Sequence, residues 1–95
     1  MPDAAVDPDS FDQPEEYALW DALQRAQSIA GAALGDEDFR GAMSALSALR
    51  GPLDSLFNEV TVNAEDEGLR ANRLALLEEI TRVCERVADF GKLEG

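Results

Sequence analysis

Residues 66–90, DEGLRANRLALLEEITRVCERVADF, decide the fold. Leu69, Leu76, Leu77, Ile80, Val83, Cys84, Val87 and Phe90 recur there at spacings of three and four. That period marks one face of a helix held over about six turns. Asn63 or Asp66 supplies its N-cap, and Gly91 is expected to close it. Gly68 falls in the first turns, at a cost of roughly 1 kcal/mol relative to alanine. Cys84 lies on the apolar stripe and reads as a buried structural thiol, not a nucleophile.

Three further helices are expected upstream. Pro14 suits a first helical position, where its missing N–H would be unpaired anyway. Glu15 and Glu16 follow, at the end of the helix dipole that favours negative charge. Leu19, Leu23, Ala26, Ala30 and Ala33 form a buried stripe, widened by Trp20 and Leu34. Gly35 is expected to end this helix at positive φ. Asp36 is the expected N-cap of a second helix, with Phe39, Met43, Leu46 and Leu49 inward. The small residues Gly41, Ala42, Ala45 and Ala48 would let a neighbour approach closely. Gly51-Pro52 stops it, and Pro52 opens a short third helix with Leu53, Leu56, Phe57 and Val60 facing in. Residues 60–63 (VTVN) are β-branched but have no second strand to pair with, so they read as a connection. The expectation is an all-α domain over residues 13–95, a compact antiparallel four-helix bundle. A flexible acidic leader, residues 1–12, precedes it.

Charge narrows the partners. Ninety-five residues carry twenty acids against eight bases, a net charge of −12. Such a balance argues against a membrane surface or a nonspecific nucleic-acid binder, which both need clustered Lys and Arg. Six of the acids and no base lie in residues 1–16, so half of the excess belongs to the leader and the first turn. The leader reads as a solvated tail or linker, or alternatively as an acidic arm for a basic partner. A lone cysteine cannot form an internal disulfide and fits a reducing, cytoplasmic setting. No apolar run is long enough to span a bilayer, so no membrane partner is expected.

Catalytic chemistry finds little to use. There is no histidine, and one cysteine without histidine excludes zinc-finger spacing and a Cys–His dyad. The glycines are scattered and make no phosphate-binding loop. Glu15/Glu16, Asp36–Asp38 and Glu65–Glu67 sit at helix starts, where the dipole explains them; a magnesium or calcium site is the alternative. No cofactor, no metal site and no catalytic residue are expected. Arg82 and Arg86 can pair with Glu78, Glu79 and Glu85 on their own helix. Arg70 and Arg73 point elsewhere, so no continuous basic stripe forms.

Residues 64–77, AEDEGLRANRLALL, resemble a stretch typical of the bacterial glycyl-tRNA synthetase beta subunit, within a C-terminal anticodon-binding (DALR-like) domain shared with arginyl-tRNA synthetases. Residues 49–67, LRGPLDSLFNEVTVNAEDE, are similar to that family's proline-turn, aromatic approach to the helix. Residues 86–95, RVADFGKLEG, are similar to its C-terminus. The resemblance is sharpest over about residues 49–94, and Gly68 stands where the family usually has alanine.

The resemblance implies a non-catalytic domain that helps a glycine–tRNA ligase hold the anticodon arm of glycine tRNA, tRNA(Gly). The rest of the beta subunit and the alpha subunit would be its partners. Arg70, Asn72 and Arg73 are then the candidate nucleic-acid contacts. For Asn72 and Arg73 the competing role is to tie the helix start to neighbouring backbone. The competing function is an acidic helical protein–protein module that has lost RNA binding, a reading favoured by the charge.

Overall fold

The elements follow from their caps. The computed structural model describes residues 6–60 and 65–94. A 3-10 turn, Pro8–Ser10, precedes α1 (Pro14–Gly35), α2 (Phe39–Ser47), α3 (Arg50–Glu59) and α4 (Glu67–Glu94). Helix α1 opens on Pro14 as expected. Its first turn is closed by Glu16, whose carboxylate reaches back to accept from the Gln13 backbone N–H at 3.0 Å, half of a capping box. Helix α4 is capped by Asp66, whose Oδ1 accepts from the Leu69 N–H at 2.9 Å. Asn63, the other candidate cap, lies outside the described residues, as does most of the 60–63 connection. No strand forms among the described residues.

The chain is all-helical, but not as four separate rods. Only Ala48 and Leu49 divide α2 from α3, and both keep helical backbone angles. Gly51-Pro52 therefore does not stop a helix. Both residues lie in the first turn of α3, where a missing N–H costs nothing. Helix α1 packs on α2, α3 and α4, while α4 also meets α2 and the 3-10 turn. The molecule measures 43 × 30 × 19 Å. Its long dimension is what twenty-eight residues of α4 span at about 1.5 Å each.

Leu19, Leu23, Ala26, Leu49, Leu56, Leu76, Ile80 and Val83 form the main core. A second cluster joins Ala30, Ala42, Ala45 and Val87, with Ala33, Leu34, Phe39 and Leu46 packed against it. Alanine meets alanine here, so the backbones of α1 and α2 come close and wider side chains turn outward. This explains Met43, expected inside and found 48% exposed. Phe57 is likewise outside, because Leu56 and Val60 take the inward positions of α3. On α4 the inward line is Leu76-Ile80-Val83-Val87, and Cys84, one residue off that line, is exposed. The thiol is therefore not a core residue.

Three glycine and cap assignments also differ. Among the described residues no glycine has positive φ; Glu37 adopts that conformation instead, at φ 59°. The Asp38 N–H bonds to the Ala33 carbonyl and the Glu37 N–H to the Leu34 carbonyl, a Schellman closure with Gly35 still helical. The cap of α2 is accordingly Asp38, not Asp36; its side chain accepts from the Gly41 N–H. Gly91 does not end α4. It lies inside the helix beneath Phe39, where an added β-carbon would sit 2.6 Å from the ring. Replacing Glu37 with glycine should raise stability by about 0.5–1 kcal/mol, because a left-handed non-glycine residue costs roughly 1–2 kcal/mol and glycine entropy returns part of that. Urea midpoints of the two proteins check it; an unchanged or lowered midpoint refutes it.

The expected free leader over residues 1–12 is also revised. Phe11 is 7% exposed and belongs to the main core, and Val6 packs against it. Phe11 meets Tyr17 and Trp20 edge to face, at centroid distances of 5.1 and 6.2 Å. Residues 6–12 are thus part of the folded domain, because their two apolar side chains find a surface among the acids. Residues 1–5 lie outside the described residues.

Candidate nucleic-acid interface

The three residues singled out on α4 do not share one environment. Asn72 is 6% exposed and Arg73 is 4% exposed. The Asn72 side chain grips the backbone of one residue, Asp7, through both of its polar groups. Its Oδ1 accepts from the Asp7 N–H at 2.7 Å, and its Nδ2 donates to the Asp7 carbonyl at 2.9 Å. An amide side chain can do this because it presents a donor and an acceptor side by side.

Arg73 points to the start of α1. Its Nη2 donates to Glu16 Oε1 at 3.1 Å and lies 4.0 Å from Asp12 Oδ2. Glu16 is fully buried. The same Oε1 accepts from the backbone N–H groups of Asp12 at 3.1 Å and Gln13 at 3.0 Å. One carboxylate oxygen thus ties together a helix cap, the incoming chain and a guanidinium 57 residues away. Burial of both charges is tolerable only because they are paired and hydrogen-bonded.

Arg70 is the member left at the surface. Its side chain is 36% exposed and lies 4.0 Å from Glu67 Oε1, which is itself 91% exposed. It occupies the turn before Arg73, so the clasp formed by Asn72 and Arg73 fixes the helix that carries it. The alternative role, tying the start of α4 to neighbouring chain, is what the geometry gives Asn72 and Arg73. Sequence reasoning assigned Glu16 only to the helix dipole and Asp7 only to the leader. The Gln13-x-x-Glu16 spacing was the available signal, since an acid three residues after a cap reaches back to it.

Elsewhere Arg82 bridges Glu78 at 3.7 Å and Glu79 at 3.2 Å, the solvated pattern expected of it. Among the described residues, no group of three or more potential metal-ligating side chains comes together. No helix among them is long and apolar enough to cross a membrane.

Comparison with known proteins supplies the relationship. Residues 1–89 match the DALR anticodon binding domain. The chain is 46% identical over 90 residues to the glycine–tRNA ligase beta subunit of Thiobacillus denitrificans, covering 95% of this chain and 13% of that protein. It is 50% identical to the corresponding subunit of Rhodospirillum centenum and 47% to that of Cereibacter sphaeroides, each with the same coverage. The chain thus spans about an eighth of the length of these relatives. No solved structure matches it. With a family match over nearly all of its residues, the chain belongs to the DALR anticodon binding domain family.

Proposed function

We propose that this chain acts as the non-catalytic anticodon-binding domain of a glycine–tRNA ligase beta subunit, in the cytoplasm. It would help hold the anticodon arm of tRNA(Gly), alongside the rest of the beta subunit and an alpha subunit that carries the chemistry. The observation that carries this reading is identity of 46–50% with such beta subunits over 95% of the chain. Arg70 is the proposed direct contact: a guanidinium at the surface suits a loop phosphate or a splayed base. Asn72 and Arg73 serve it indirectly, by fixing the first turns of α4.

A charge of −12 repels RNA at long range. The isolated chain should therefore bind tRNA(Gly) weakly, and measurable affinity should need the rest of the ligase. In the ligase that carries this domain, Arg70→Ala is expected to weaken tRNA(Gly) binding by roughly tenfold with helicity unchanged. Gel shifts with the isolated chain and with the ligase test both points. Tight binding by the chain alone refutes the first, and an unaffected Arg70→Ala ligase refutes the second. The competing reading, an acidic module for protein partners, is favoured by the same net charge. It gains if the ligase binds tRNA equally well with this domain removed.

A further inference from the structure

The charge is not spread evenly, and its distribution points to a second contact. Between residues 22 and 53, three bases (Arg25, Arg40, Arg50) balance three acids (Asp36, Glu37, Asp38), so the entire −12 lies on the remaining residues. Within that stretch, residues 39–53 (FRGAMSALSALRGPL) form the longest acid-free run of the chain. They make up α2 and the start of α3.

Arg40, Met43, Ser44, Ser47 and Arg50 are all exposed, at the three-and-four spacing that keeps one face. The helical angles of Ala48 and Leu49 carry that face across the junction. The buried positions agree, since Ala42, Ala45, Leu49 and Leu56 follow one inward line over the same length. Ten residues at about 1.5 Å each separate the two arginines by roughly 15 Å. Between them stand short side chains and one flexible methionine, so a strand can approach the helix closely. Neither arginine forms an ion pair among the described residues. Arg82, by contrast, is held between two glutamates.

We infer that the exposed face of α2 and the first turn of α3 is a docking surface for the RNA phosphate backbone, with Arg40 and Arg50 each taking a phosphate. The inference rests on the proposed tRNA role and goes beyond it, because that role was assigned only to the start of α4. It also answers the charge problem: a polyanion meets less repulsion along the stretch of chain where acids and bases cancel. Guanidinium groups suit phosphate geometry, and the site reads backbone, not sequence.

The test compares the ligase with its Arg40→Gln, Arg50→Gln, Arg70→Gln and Arg82→Gln variants, measuring tRNA(Gly) affinity over a salt series. Each of the first two should weaken binding roughly threefold and flatten the slope of log K against log salt by about 0.7–0.9. The double variant should flatten it about twice as much, and Arg82→Gln should change nothing. Loss with Arg70→Gln but unaltered slopes for Arg40→Gln and Arg50→Gln overturns this inference alone. If no variant alters binding, both this inference and the Arg70 assignment fail. Normal tRNA binding with weakened assembly on the alpha subunit also overturns it, making the surface a protein contact.

Discussion

Replacing Arg73 with leucine is expected to destabilise the domain by about 3–5 kcal/mol, the range for removing one partner of a buried ion pair. A domain of this size has roughly 5–14 kcal/mol in total, so the variant should sit near the edge of folding at 37 °C. The cause is Glu16. Its carboxylate is fully buried, and without the guanidinium its charge would face only the two N–H groups of Asp12 and Gln13. Glu16→Gln removes the charge but keeps an oxygen for those two donors. The double variant Glu16→Gln/Arg73→Leu should therefore recover more than half of the loss. Urea unfolding of the single and double variants measures this. Costs that simply add would mean that the two side chains are not coupled and that the pair carries no energy of its own.

Phe11→Ala is expected to cost about 3 kcal/mol and lower the thermal midpoint by roughly 12–24 °C. A phenylalanine in a solvated leader would contribute almost nothing. Phe11 is 7% exposed and touches the rings of Tyr17 and Trp20, so its removal opens a cavity at the edge of the main core. Scanning calorimetry of the full chain gives a clear reading: a shift below about 4 °C would show that the segment is not packed in solution.

Periodicity carried most of the fold into view. The start of α1 at Pro14, the Asp66 cap of α4 and the inward line of Leu19, Leu23, Ala26 and Ala30 all follow from local chemistry. The assignments that moved depended on neighbours distant in sequence. Gly91 looks like a terminator, yet its role is to admit the Phe39 ring. Met43 fits a core stripe by spacing, but alanine facing alanine draws the helices too close to hold it. The site was half visible in the same way. The polar residues of α4 were identifiable, whereas their exposure depended on Asp7 and Glu16, 65 and 57 positions away. No local pattern shows that a carboxylate 57 positions away will bury Arg73.

The grip of Asn72 on the Asp7 backbone has a kinetic side. It closes a loop of 65 residues, while α1 meets α2 across a connection of three. Closing the longer loop costs more chain entropy, and it becomes favourable only once the helices between have docked. The Asp7 segment and the front of α4 are therefore the last to meet during folding and the first to part. When they part, the opening is confined to the front of α4, while the Gly91 end stays anchored to α2. The domain thus has a hinge side and a latch side, and the latch lies one turn from Arg70.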